Sequence, residues 1–261
     1  MNIIMGWHCF KGVLIREFLR FVQQRSRFLS ALVRPLLWLV VFAAGFRAAL
    51  GISIIQPYDT YITYETYIAP GLCCMILLFN GMQSSLSMVY DREMGSMRVL
   101  LMSPLPRPYL LLCKMIATAL ISLTQVYAFL FIALMVDVEP PVIGYLSVLP
   151  ALVLVALLLS SLGLFLSTQI KQLENFAGVM NFVIFPMFFL SSALYPLWKM
   201  QEASDLLYWI CMVNPFTHAV ELVRFALYMQ LNTDALMITA GTTLLFTLLA
   251  VTGFRPQKTS R

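Results

Sequence analysis

Charge is what this sequence has least of. Only 11% of its 261 residues are Asp, Glu, Lys or Arg, while 61% are hydrophobic. Soluble domains carry about a quarter charged residues, and a water-soluble fold this apolar could not cover its own surface with polar groups. The shortage excludes an ordinary cytosolic enzyme and a disordered chain, and no polar stretch is long enough for a separate soluble domain. Histidine is nearly missing: His8 and His218 stand far apart, which excludes a histidine-rich metal site. The cysteines, Cys9, Cys73, Cys74, Cys113 and Cys211, are odd in number and lack metal-type spacing, so neither a disulfide framework nor a zinc site is expected. Also lacking are the G-x-x-x-x-G-K-[ST] phosphate loop, G-x-S-x-G, H-E-x-x-H and the dinucleotide fingerprint. No catalytic residue, metal or chain-bound cofactor is therefore expected, nor a cleavable signal peptide. The want of an internal repeat argues against an inverted-repeat transporter. Uphill transport by such a chain would borrow its energy from another protein.

What is present is a series of apolar runs. A helix needs about 20 apolar residues to cross the hydrocarbon core. Residues 66–90, 115–136, 145–168, 175–197 and 235–254 meet that length. A further run, 29–54, contains Arg34 and Arg47, long side chains that can snorkel to the interface. Leu206 to Val220 is too short to cross and is broken by Asn214-Pro215, so 198–224 is expected to be re-entrant. The expectation is an all-α integral membrane protein with six spans in one domain, 1–261. With both termini cytoplasmic, every Lys and Arg except Arg47, Lys199 and Arg224 lies inside. A seventh span would carry Arg255, Lys258 and Arg261 outside. The net charge of +5 is then a topological signal, with the anionic inner leaflet as partner and no nucleic acid required.

Several segments do more than span. Residues 1–28 are amphipathic: Trp7, Phe10, Leu14, Phe18 and Phe21 share one helical face, and Arg16, Arg20 and Arg27 gather near the other. Such a helix lies in the headgroups as an anchor, and its basic side is also free to touch a cytoplasmic partner. Tyr58, Tyr61, Tyr64 and Tyr67 recur every third residue before Pro70-Gly71, which predicts an aromatic belt at headgroup level. The loop 91–104 alternates basic and apolar residues until Ser103-Pro104 stops any helix. It is either a solvated loop or a protein contact. Asn80, Ser84 and Ser87, with Gln83 close by, fall on one face of the second span. Hydrogen bonding to a neighbouring helix is the simpler role for them, and lining a substrate path the other. His218 and Glu221 follow the Asn214-Pro215 break, where they are hydrated at the outer interface or serve a proton relay.

Taken together, three patterns resemble the type-2 class of ATP-binding-cassette (ABC) exporter permeases over essentially the whole chain. Tyr67-Ile68-Ala69-Pro70-Gly71-Leu72 is similar to the family's Tyr-x-x-Pro-Gly approach to its second span. Arg92-Glu93-Met94-Gly95-Ser96 through Leu101, then Ser103-Pro104 and Lys114, is similar to its Arg-Glu-x-Gly-Thr cytoplasmic loop, with Ser96 keeping the hydroxyl of the usual Thr. Asn214-Pro215-Phe216-Thr217-His218 through Arg224 resembles the stretch before its last span.

The resemblance implies an N-terminal connecting helix, a cytoplasmic coupling helix from Glu93 to about Met102, and re-entrant helices before the sixth span. It implies a second permease subunit and two ATP-binding subunits that hold ATP and Mg, in a bacterial inner membrane. Closure of those subunits would push the coupling loop and reshape a path between permeases for an amphipathic cargo: a drug, a lipid or a lipid-linked sugar. The residues it marks for coupling are Asp91, Arg92, Glu93, Gly95, Ser96, Arg98, Leu101 and Pro104, with Arg16 and Glu17 on the connecting helix. Glu93 and Arg98 would be polar contacts to the ATPase, Gly95 would allow close approach, and Pro104 would end the helix. Asn214, Pro215, Thr217, His218, Glu221 and Arg224 would form the re-entrant gate. Two other classes stay open: an ion-coupled transporter or channel using Glu221, His218 or Arg47, and an assembly protein that moves nothing.

Overall fold

The computed structural model describes residues 3–23, 32–41, 56–58, 62–95, 105–136, 138, 140–170 and 172–254. Helices dominate: α1 (Ile3–Gln23), α2 (Leu32–Val41), α3 (Tyr64–Glu93), α4 (Arg107–Ala133), α5 (Gly144–Ser147), α6 (Leu149–Gln169), α7 (Leu173–Phe189), α8 (Leu197–Ala203), α9 (Asp205–Val213), α10 (Pro215–Leu227) and α11 (Thr233–Gly253). Among the described residues there is no strand.

Four segments are long and apolar enough to cross a membrane: α3, α4, α5–α6 together, and α11. The pair α9–α10 passes the same test only jointly and bends by 77° at Asn214. At 17 residues, α7 falls just short. Of the expected first span only Leu32–Val41 lies within the described residues. The description thus reaches four to five spans where six are expected.

Helix α6 is central because it is apolar nearly all round. It packs most extensively against α3 and α11. Lipid tails are as apolar as leucine, so helices in a bilayer hold together by close fit rather than by a hydrophobic drive. Glycine makes that fit at the α3–α6 crossing. A Cβ on Gly81 would lie 2.7 Å from the Leu159 carbonyl oxygen, and one on Gly163 would lie 2.5 Å from Ser85 Oγ. By contrast α11 buries only a narrow side through Ala235, Thr239 and Ala250, leaving most of its surface for lipid. Helix α2 joins the bundle through Trp38, edge-on to Phe188 of α7, and through Arg34, whose guanidinium carbon lies 3.9 Å from the centre of the Phe79 ring.

Several boundaries depart from expectation. Helix α4 begins at Arg107, ahead of residue 115, because Pro108 suits the first turn of a helix, where its missing N–H costs nothing. Lys114 therefore lies inside a helix rather than in a loop. Helix α7 stops at Phe189, short of 197, with Pro186 in its last turn removing one intrahelical bond. The Asn214 amide takes up the carbonyls this end leaves free, donating to Met187 O at 2.8 Å and Leu190 O at 2.6 Å. Asp91, Arg92 and Glu93 continue α3, and at Gly95 the backbone turns with φ of 74°; residues 96–102 of the expected coupling helix lie outside the described residues. At 30 residues α3 is about 45 Å long, more than the hydrocarbon core of about 30 Å. One end of it must therefore stand clear of the lipid tails.

The expected tyrosine belt is also revised. Tyr58, Tyr64 and Tyr67 are buried in protein, and Tyr61 lies outside the described residues. Two of these polar tips find backbone instead of headgroups: the Tyr64 hydroxyl donates to Leu194 O at 2.8 Å and the Tyr67 hydroxyl to Ser192 O at 3.0 Å.

Candidate functional site

Three consecutive residues at the end of α3 fasten three different helices. Asp91, nearly fully buried, accepts the forked guanidinium of Arg20 at 2.9 and 3.2 Å and a further hydrogen bond from Arg16, both on α1. A bidentate guanidinium–carboxylate pair fixes orientation as well as charge, and the hydrogen bond to Asp91 holds the Arg20 pKa above its ordinary value. Arg92 donates to the Ser167 carbonyl at the end of α6, where carbonyls lack helical partners and a cation is favoured. Glu93 accepts the Leu173 N–H at 3.2 Å, placing a carboxylate at the N-terminus of α7. The α1–α4 contact is completed by the Tyr109 hydroxyl, which donates to Gly6 O at 2.9 Å.

Asp91, Arg92 and Glu93 are thus engaged within the chain at the mouth of the loop, as is Arg16. Glu17 is half-buried on the same helix. Gly95 is exposed with nothing within 4 Å of a Cβ, so its positive φ is what calls for glycine. Ser96, Arg98, Leu101 and Pro104 lie outside the described residues, as does Arg47. In the sequence Lys114 enters as an inside marker and as the last residue of the cytoplasmic-loop pattern, without a site role. It is buried, and its Nζ lies 3.2 Å from Ser87 Oγ. The usable signal was a lone cation within an otherwise apolar helical run.

A polar seam joins α3 to α4. Asn80 hydrogen-bonds Gln125, Ser84 pairs with Thr118 at 2.7 Å, and Ser87 meets Lys114. These contacts match the helix-to-helix role of the polar face; Gln83 sits half-buried beside them.

At the opposite end of α3, two of the sequence patterns meet. The Asn214 side chain caps α10 by accepting the Phe216 N–H at 3.0 Å, with Pro215 in the first turn. Thr217, Glu221 and Arg224 follow at helical spacing along α10. Arg224 is 2% exposed, ion-paired to Glu221, bonded to Ser192 O at 2.8 Å, and stacked on Tyr67. Gly71, on the same side of α3, is needed because a Cβ there would lie 2.7 Å from Ala193 O. His218 contacts Met212 O at 2.8 Å. Glu221 is therefore ion-paired within the fold.

A sequence profile of the ABC-2 type transporter family matches residues 8–228, a range that contains the loop-mouth clamp, the polar seam and the Arg224 cluster. The chain belongs to that family. It is similar to transport permeases named ycf38: 28% identical over 227 residues to that of Porphyra purpurea, covering 86% of this chain and 74% of the relative. With that of Pyropia yezoensis it shares 28% over 228 residues, covering 85% and 74%. With that of Cyanophora paradoxa it shares 25% over 213 residues, covering 80% and 71%. This ABC-2 family chain is a multi-pass membrane protein of the transport-permease kind, and membership implies an ATP-binding partner subunit in general terms. Among the described residues no group of His, Cys, Asp or Glu has the makings of a metal site.

Proposed function

We infer that this chain is the transmembrane permease subunit of an ABC exporter, driven by two separate ATP-binding subunits that hold ATP and Mg and paired with a second permease subunit. Its place is a bacterial inner membrane with both termini cytoplasmic, and its cargo is amphipathic, of the drug, lipid or lipid-linked sugar kind. The observation that carries the reading is the clamp at the end of α3. Asp91, Arg92 and Glu93 bind α1, α6 and α7 immediately before the loop 96–104, so a push on that loop reaches three helices at once. Loop residues Ser96, Arg98, Leu101 and Pro104 are assigned the ATPase contact itself, and Arg16 the tie to the connecting helix.

On this reading the cluster of Asn214, Pro215, Thr217, His218, Glu221 and Arg224 forms the outer gate, because it seats the bent α9–α10 pair on α3. The seam of Asn80, Gln83, Ser84 and Ser87 is where the polar part of a cargo meets the protein as α3 and α4 shift. The experiment is a tagged pull-down from native membranes in mild detergent, assayed for vanadate-sensitive ATP hydrolysis. Co-elution of a subunit bearing a phosphate-binding loop, with activity, is the expected result. Elution of a folded chain without ATPase would overturn the reading and turn attention to ion-driven transport through Glu221 and His218.

A further inference from the structure

Cations outnumber carboxylates where α1 crosses the ends of α3 and α4. Lys114 is 9% exposed, and among the described residues its hydrogen bond goes to the neutral hydroxyl of Ser87. An ammonium has three donors, and a buried cation is stable only when its charge is matched. The carboxylates facing it are Glu17 and Asp91; the other facing cations are Arg16 and Arg20. Asp91 is already taken by both guanidinium groups. The arginine side chains remain 34% and 33% exposed, so each keeps donors open to solvent.

A second observation sets the depth of this cluster. The outer face of α1 carries Trp7, Ile15, Phe18, Leu19 and Val22, all between 46% and 63% exposed. A helix with such a face lies at the boundary of headgroups and acyl chains. Arg16 and Arg20 on the protein-facing side of the same helix then sit at the level of lipid phosphates.

We propose that the junction of α1 with the ends of α3 and α4 binds the phosphate of an anionic phospholipid, with Lys114 as the buried cation and Arg16 and Arg20 at its edge. Lysine supplies a point charge and the arginine forks supply directed donors. The acyl chains lie along the apolar face of α1. Inorganic phosphate shares the headgroup chemistry but has nothing to place on that face.

The test uses the full-length chain with whatever subunits co-purify, stripped of lipid by detergent exchange. It is titrated with phosphatidylglycerol, phosphatidylcholine and inorganic phosphate, and binding is followed by native mass spectrometry and thermal unfolding. The expected result is phosphatidylglycerol binding at least about tenfold tighter than the other two. Lys114→Gln should weaken it about tenfold or more, the scale of one lost charge-assisted bond, while Lys114→Arg keeps most of it. Equal binding of the two lipids would overturn the proposal, as would a folded Lys114→Gln protein that binds phosphatidylglycerol normally. Displacement of the lipid by equimolar inorganic phosphate would make this a free-anion site and overturn the lipid assignment. If Lys114→Gln does not fold, Arg16→Gln carries the same comparison. Binding is read without nucleotide, so its failure is separate from any failure of the transport reading.

Discussion

Arg224 lies over the face of Tyr67, its guanidinium carbon 4.1 Å from the ring centre, and both side chains donate to one acceptor, the Ser192 carbonyl. That shared oxygen belongs to the turn after α7, so one arginine joins α10, α3 and the turn. Removing one partner of a buried ion pair costs about 3–5 kcal/mol. Arg224→Ala is expected to lower the thermal midpoint of the purified protein markedly, and Arg224→Lys to recover only part of it because an ammonium cannot both stack and fork. Equal midpoints for all three proteins would contradict the assignment.

Tyr67→Phe keeps the ring under Arg224 but removes the hydroxyl bonded to Ser192 O. A single neutral hydrogen bond contributes about 1 kcal/mol, so the loss should be clearly smaller than that of Arg224→Ala in the same unfolding assay.

Asp91→Asn removes the charge that holds Arg16 and Arg20 while preserving shape. The arginine ends are about one-third exposed, so solvent screens the pair and the stability change should be small, about 1 kcal/mol. The functional change should be larger: transport per ATP hydrolysed falls several-fold in reconstituted vesicles. The charge exchange Asp91→Arg with Arg20→Asp should restore part of it, and a double variant no better than either single one would count against the clamp.

Glu93→Ala and Glu93→Gln separate charge from hydrogen bonding at the start of α7. Both insert normally. Glutamine retains an acceptor for the Leu173 N–H and should keep most transport, whereas alanine should uncouple export from ATP hydrolysis. Unchanged export by Glu93→Ala, with normal subunit pairing, would show that the contact transmits nothing.

Gly81→Val and Gly95→Ala should behave oppositely. At Gly81 a new side chain meets backbone of α6 at 2.7 Å, which cannot yield, so size-exclusion chromatography in detergent should show loss of the folded peak. At Gly95 nothing is near; the cost is the positive φ alone, about 1–2 kcal/mol, and the folded peak should remain.

Hydropathy and charge spacing made the class legible, because covering an apolar helix with lipid is a local requirement that each segment states for itself. The break at Asn214-Pro215 could be read in the same way: proline and a capping amide act on the residues beside them, and the 77° bend follows. Membership in the ABC-2 family was legible too, in three short patterns whose order along the chain is itself information. What could not be read was the partner of each polar side chain. Asp91 and Arg20 are 71 positions apart and Tyr67 and Ser192 are 125 apart. Neither pairing has a period or a spacing to betray it. Tyr64 and Tyr67 looked like interface residues because tyrosine serves both roles; only the position of the 190–196 turn turned them inward. Asp91 and Glu93 looked free for a partner because a loop's charges are solvated unless another helix end lies within reach. Composition and pattern therefore determined a helical membrane permease, whereas the packing of α1 on α4 and of α6 and α7 on α3 decided which of its few charges face one another, since an ion pair depends on distance in space and not on distance along the chain.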